Sequence, residues 1–453
     1  MTRKFSLLLL IALAGAGAVL LFGQADIIAD IFGKTGKPAL AVTDLRGSGS
    51  QEFMNAFNST LFNDLQSSGL FDMRAKSLFP LNNPQRPEDI RSSDNNQGYA
   101  LSDWAAAPVN ASHLVFGYTA AVNGTLVLYG NVDDTRQTDP QAASLMAQRY
   151  VGSLDEAGAI KAAHEFANDI IQKFGGTGSL LGSRIYFISD RGMGQYKSEI
   201  WAMDWDGKNQ TRLTTLNAQA TFPSVSPDGS RLAFTLLDTG KQPHIVMIDT
   251  QTRRQLPFYN QEASVNMTAS FSPDGNQIYY ASTAAGGDAQ IYAAGIDGKG
   301  FRRVSVRRGI EVEPKVNPKN PNQLLMSAGP GQEQIYMMNA DGVGVDRLTN
   351  GEGEAAGPAW HPDGQHIAFS WTRGYAAGDW NIFVMDVGSR QFVQLTHSEG
   401  KNENPVWAPD GRHLVFASTR SGKSQIYTML ADGTDVKQLT FQGTNKTPVW
   451  GIR

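Results

Sequence analysis

One short string recurs down the second half of the chain. It reads SPDGSRLAFT from residue 226, SPDGNQIYYAS from 272, HPDGQHIAFS from 361 and PDGRHLVFAS from 409. The copies keep register with a longer period. Ile200, Ile245, Ile291, Ile335, Ile382 and Ile426 recur at steps of 44 to 47 residues, and Pro223, Ala269, Pro314, Pro358, Pro405 and Pro448 at steps of 43 to 47. A third ladder runs Leu213-Thr214, Leu256, Val304-Ser305, Leu348-Thr349, Leu395-Thr396 and Leu439-Thr440. Asp-Gly stands at Asp206, Asp228, Asp274, Asp297, Asp341, Asp363, Asp410 and Asp432, and that dipeptide suits the positive φ angles of tight hairpin turns. A unit in the low to middle forties, with about four strands, is the signature of a β-propeller blade. Six copies of each ladder predict six blades. Each PDG string then joins the innermost strand of a blade to the next strand outward.

The ends of the repeat region predict how the ring closes. Residues 183–189 (SRIYFIS) lack a preceding inner strand, whereas Pro448-Val449-Trp450 lacks its followers. The C-terminal strand is expected to complete the first blade, which leaves no long unprotected edge. Asn317-Pro318-Lys319-Asn320 replaces S-P-D-G in one copy, and a longer turn is expected there.

Upstream of Gly176 the pattern is different. Phe53, Met54, Phe57, Leu61, Phe62 and Leu65 share one helical face, and residues 38–42, 113–118 and 125–132 read as strands. Ser153 and Glu156 have capping-box spacing ahead of a stripe formed by Ile160, Ala163, Phe166, Ile170 and Phe174. Residues 81–98, rich in Asn, Pro and Gln, read as a surface loop. The expected fold class is α+β in two domains: a small N-terminal α/β domain at 26–176 with a leading segment, then a six-bladed β-propeller at 177–453.

Arg3 and Lys4 precede an uncharged run over residues 5–23, followed by Gly23-Gln24-Ala25. This predicts a signal peptide at 1–25 and an exported, soluble mature protein. A retained anchor competes, because 19 residues approach a bilayer span. The weak Gly/Ala stretch 14–18 and the one-sided basic flank favour cleavage.

Composition excludes several chemistries. A net charge of −4 with 18 % charged residues offers no basic stripe for nucleic acid. The absence of cysteine removes thiol catalysis, disulfides and thiolate metal sites. Gly33-Lys34-Thr35 and Gly422-Lys423-Ser424 lack the upstream phosphate-loop glycine, since Ile28 and Ala417 stand there. There is no G-x-S-x-G elbow. The histidines (His113, His164, His244, His361, His366, His397 and His413) form no metal-binding pair of the H-E-x-x-H type, and His361 and His366 are expected at the surface beside a hairpin. Asp204-Trp205-Asp206-Gly207 reads as a hairpin rather than a calcium loop, and Trp360, Trp407 and Trp450 read as packing between blades. The chain is therefore expected to carry no catalytic residue, no metal and no cofactor.

An α/β domain of this size followed by six blades carrying PxWSPDG resembles the TolB family. Gly36-Lys37-Pro38-Ala39-Leu40-Ala41-Val42 is similar to that family's first strand, and Asp64-Leu65-Gln66-Ser67-Ser68-Gly69-Leu70-Phe71 to its DLxxSGxF segment. His113-Leu114-Val115-Phe116-Gly117 and the helix through Ala163-His164 extend the likeness over the mature chain. The resemblance implies a periplasmic, non-enzymatic adaptor of the Tol–Pal system that serves outer-membrane integrity and cell division. It would bind the outer-membrane lipoprotein Pal at the propeller mouth and TolA through the mature N-terminus, here Asp26, Ile27, Ile28, Ala29 and Asp30. The family usually carries a basic or polar residue among these apolar ones; acidic Asp26 and Asp30 depart from that.

Propeller geometry points to the mouth independently, because the first residues of the inner strands should ring it. The residues before the proline ladder are Phe222, Thr268, Glu313, Gly357, Asn404 and Thr447, with Asn266, Val312 and Glu403 as neighbours. Six equivalent positions with no shared chemistry suit recognition; a solvated loop is the competing reading. Two rivals remain. A metal-dependent propeller lyase or hydrolase needs convergent ligands, for which only Glu313, Glu403 and His361 are available. A glycan-binding propeller needs rim aromatics, and only Phe222 qualifies. A monomer is expected.

Overall fold

The computed structural model describes residues 27–31, 36–47, 51–91, 98–175, 180, 182–194, 197–262, 264–329 and 331–452. The chain forms two compact units, one spanning 32–181 and the other joining 182–453 to the segment before residue 32. The boundary thus falls at 181/182, and the described residues 27–31 belong with the propeller rather than with the domain they precede. The expected signal peptide, residues 1–25, and Gly33-Lys34-Thr35 lie outside the described residues. Among the described residues no helix is long and apolar enough to cross a membrane.

Among the described residues the smaller unit is a mixed sheet with two long helices and two single-turn helices, Ser102–Ala105 and Pro140–Ala143. Strand β1 (Ala39–Val42) is followed by the short β2 (Arg46–Gly47), helix α1 (Gln51–Ser67), β3 (Asp72–Met73), β4 (His113–Val122), β5 (Thr125–Asp134), β6 (Ser144–Ser153) and helix α2 (Glu156–Lys173). The sheet order is β3-β1-β4-β5-β6, parallel about β1 and antiparallel from β4 onward. The helical stripes meet as their periodicity requires: Met54, Phe57, Leu61 and Leu65 of α1 and Ala159, Ala163, Phe166 and Ile170 of α2 share one core with Leu40, Val42 and Val115. Gly130 permits that approach, because a Cβ there would stand 2.5 Å from the Phe166 ring.

One strand was missed and two expectations change here. Strand β6 was not legible, because most of its side chains face solvent and alternate burial is confined to residues 149–153. The cap of α2 is Asp155 rather than Ser153: Gly158 N–H donates to its carboxylate at 2.8 Å, and Ser153, which ends β6, donates to it at 2.5 Å. A carboxylate adjoining the helix accepts this amide better than a hydroxyl still held in the sheet. Within 81–98, Ile90 is buried, bridges in parallel to Tyr99 and joins a cluster with Trp104.

The larger unit is six four-stranded antiparallel sheets. The inner strands are Gln219–Val225, Asn266–Phe271, Ile310–Val316, Ala355–Trp360, Asn402–Trp407 and Asn445–Gly451. The last pairs with Arg184–Ser189 from Asn445↔Ser189 to Gly451↔Arg184, so the C-terminal strand closes the first blade. Trp450 Nε1 adds a 2.8 Å bond to Ser183 Oγ.

Two of the ladders explain each other. Every ladder isoleucine sits on a third strand at no more than 1 % exposure. Its N–H donates to Thr214, Asn260, Ser305, Thr349, Thr396 or Thr440 in the six blades, at 2.8 to 3.0 Å. The "LT" hydroxyl thus satisfies an amide that would otherwise be buried unpaired, a loss of about 1–3 kcal/mol per site. Where Leu256 lacks a following hydroxyl, Asn260 supplies the oxygen.

In the PDG turns only the glycine takes positive φ, from +68° to +72° at Gly229, Gly275, Gly364 and Gly411. The aspartate is there for hydrogen bonds. Ser226 and Ser230 hydroxyls donate to Asp228 and hold it down at about 2. The Asn317 turn is one residue longer, since Asn317 N–H reaches Gln323 O where Ser226 N–H reaches Arg231 O.

Candidate functional site: the channel ring

All six inner strands break register at one place: between Thr221 and Ser224, Met267 and Ser270, Val312 and Lys315, Ala356 and Ala359, Glu403 and Val406, and Lys446 and Val449. Each break is a β-bulge in which two residues face one. The first bulged residues are Phe222, Thr268, Glu313, Gly357, Asn404 and Thr447, with φ of 49°, 52°, 55°, 65°, 54° and 43°. Only one is glycine, and two are β-branched, so the scaffold imposes a conformation these side chains resist. The bulge also explains proline inside an inner strand, where an unpaired position needs no N–H.

These six residues converge on a central channel whose cavity is about 50 Å³. They lie within the strands rather than at their first residues. Val312 and Glu403 precede bulges and are half-buried. Asn266 is buried opposite Ser282, donating to Gln261 O and Ser264 O at 3.4 and 3.3 Å, so its amide braces the loop behind the ring.

A relay of hydrogen bonds ties bulge to bulge. Thr268 N–H donates to Thr235 Oγ1 of the preceding blade at 3.1 Å, and Glu313 N–H to Thr268 Oγ1 at 3.1 Å. Gly357 N–H donates to Glu313 Oε2 at 2.8 Å, and Asn404 N–H to Ser370 Oγ at 3.1 Å. Glu313 Oε2 also accepts from Ser327 Oγ at 2.6 Å. The Glu313 carboxylate therefore satisfies backbone and hydroxyl donors, a use that its position in the sequence does not reveal.

Residues 171–354 and 348–453 match the TolB beta propeller domain family. The chain belongs to the TolB family. A TolB homolog of Chlorobium luteolum is 30 % identical over 206 residues, 46 % of this chain and 45 % of that protein. One from Chlorobaculum tepidum is 29 % identical over 325 residues, 71 % and 58 % of the two chains. The chain spans about half the length of the curated relatives it matches. The crystal structure of TolB from Acinetobacter baumannii superposes with a TM-score of 0.74 at 20 % identity, over 92 % of this chain and 97 % of that one, and shares the fold.

Other parts of this TolB-family propeller bear on the site. His361 and His366, expected at the surface, are buried. His361 Nε2 donates to Gly411 O of the next blade at 2.7 Å, while its Nδ1 accepts Asp363 N–H at 3.1 Å. His366 Nδ1 lies 2.7 Å from Asp363. Burial pushes the His366 imidazole down, but Asp363, with Asp386 and Asp30, raises it above its ordinary value. Burial raises Asp363, and its close contacts with His361 and His366, together with the Gln365 N–H, outweigh this and lower it. Ligand atoms of His361, Asp363 and His366 lie within 4.8 Å of one another and could hold a metal ion. Asp363 already accepts from Gln365 N–H, His366 N–H and His366 Nδ1, and Asp410 with His413 repeats the brace in the next blade at 2.7 Å. The cluster serves the hairpin. Trp360, Trp407 and Trp450 are buried as expected, and Trp360 Nε1 donates to Lys315 O of the neighbouring blade at 2.9 Å.

Residues 27–31 form a helical turn of the propeller unit, with Ile27 3 % exposed. The leading segment is thus seated over residues 27–31; Asp26 lies outside the described residues. Two rim residues escaped the sequence reading. Val306 and Phe441 are 74 % and 73 % exposed on connections leading into inner strands. An apolar residue directly after the Leu-Thr ladder, where other copies carry Thr215, Asn350 and His397, was the available signal.

Proposed function

We propose that this TolB-family chain is a periplasmic adaptor without catalytic activity, working in the Tol–Pal system to maintain the outer membrane and support division. In this reading Pal docks at the propeller mouth over Phe222, Thr268, Glu313, Gly357, Asn404 and Thr447, with Asn266, Val312 and Glu403 behind them. TolA engages Asp26, Ile27, Ile28, Ala29 and Asp30. The observation that carries it is the ring itself: six equivalent bulges present five different residue types at one channel. A rigid ring lowers the ordering cost of association. Exposed Val306 and Phe441 add apolar side chains on connections leading into two inner strands. The seated segment 27–31 belongs to the same compact unit as the mouth, so one body carries both ends of the adaptor. The rival channel enzyme is disfavoured by Glu313, whose carboxylate is occupied by the relay.

Calorimetric titration of the chain from Asp26 with the periplasmic domain of Pal tests this. Saturable one-to-one binding is expected, weakened at least tenfold by Asn404→Gly with Phe441→Ser, which leave the relay's acceptors intact. Binding untouched by both changes would move the site, and no binding would remove the reading. Deleting residues 26–30 is expected to change Pal affinity.

A further inference from the structure

One residue further along each inner strand, past the proline ladder, stand Ser224, Ser270, Lys315, Ala359, Val406 and Val449. Five are small or apolar and neutral. Lys315 brings the only charge to this level, and it lines the same channel as the bulge ring.

Among the described residues the Lys315 ammonium has no hydrogen-bond or ion-pair partner; its backbone carbonyl accepts from Trp360 Nε1. One oxygen of the channel's carboxylate, Glu313 Oε2, is held by Gly357 N–H and Ser327 Oγ. Burial lowers the lysine pKa, and the Glu313 charge offsets this in part. An ammonium held in a narrow passage with no counterion in hydrogen-bond contact is costly. Two neutral donors line the channel as well. The Asn404 side chain makes no hydrogen bond among the described residues, and Thr447 Oγ1 is buried without a partner. The cavity of about 50 Å³ exceeds the roughly 10–15 Å³ that one water needs, which leaves room for a carboxylate group but not for a sugar or nucleotide.

We propose that the propeller channel is a carboxylate-binding site, with Lys315 as its cation and the Asn404 amide and Thr447 hydroxyl as accompanying donors. The ligand is a small free carboxylate or an Asp or Glu side chain presented by a partner at the mouth. The site stands whether or not Pal is that partner.

Thermal unfolding of the chain from Asp26, followed at constant ionic strength with increasing sodium acetate, tests it against Lys315→Met and Lys315→Gln. Without acetate Lys315→Met is expected to unfold at a higher temperature than wild type, since a charge only partly offset by Glu313 is gone. Acetate should then raise the wild-type Tm by about 2–4 °C and leave both variants unmoved. Equal shifts in all three chains, or a Lys315→Met chain less stable than wild type without acetate, would overturn the site. So would a chloride response equal to that of acetate. Line broadening of 13C-labelled acetate by the full chain, absent in Lys315→Gln, gives a readout independent of stability. Displacement of that acetate by a blocked Asp tripeptide would assign the source to a partner's side chain; failure to displace it would assign a free carboxylate.

Discussion

The third-strand isoleucine and the inner-strand bulge residue each occur six times on one scaffold, yet the first is the same residue in every blade and the second takes five identities. The isoleucines meet the same surroundings throughout: complete burial, and an amide satisfied by a nearby side-chain oxygen. The bulge residues share backbone geometry and nothing else. Four of their amides are satisfied by whatever the preceding blade supplies, Thr235, Thr268, Glu313 or Ser370. Uniformity marks positions whose partners lie wholly inside the blade. Diversity marks positions that face the shared channel.

Substitutions can break this contrast. The largest effect is expected from Ile426→Ala, which empties a fully buried site and should cost about 2–5 kcal/mol in chemical denaturation. Thr440→Val keeps the shape but strands the Ile426 amide, a loss of about 1–3 kcal/mol; a loss below 0.5 on the same measurement would mean the hydroxyl ladder is ornamental. At the ring, Thr447→Gly should leave stability within about 1 kcal/mol of wild type, because relief of a φ of +43° offsets the entropy of glycine. If Thr447→Gly proves as damaging as Ile426→Ala, ring and ladder are not different classes of position.

The smallest effect concerns pH. Asp228 is held at about 2 by hydroxyl bonds, below its ordinary 3.8. A depressed carboxylate contributes stability above its unfolded pKa and loses it as pH falls through the folded one. Asp228→Asn should therefore lose less stability than wild type between pH 4 and pH 2. Because Asp228 is exposed, the difference is expected below about 1 kcal/mol. Paired acid titrations followed by circular dichroism check it, and parallel curves would deny the turn hydrogen bonds any energetic weight.

Much of the architecture was legible because it repeats. The period gave the number of blades, the orphan halves at 183–189 and 448–450 gave the closure, and the stripe of α1 gave its buried face. The candidate ring was legible as a position, from its place before the proline ladder. Its bulge was not, since a bulge exists only when one strand is paired with another, and neither strand alone carries the offset. The commitment of Glu313, the burial of His361 and His366, and the seating of Ile27 were hidden for the same reason: each depends on a group from another blade or from a segment far away in the chain.

The sequence by itself determined the propeller, its six blades, its closing strand and the helical core of the smaller domain, because periodic burial is written locally in the order of apolar residues. Only the tertiary structure decided what the repeats enclose. It turned six residues of five types toward one channel, satisfied four of their amides across blade boundaries and left Lys315 among them, because hydrogen-bond partners and charge environments are set by distances between strands and not by spacing along the chain.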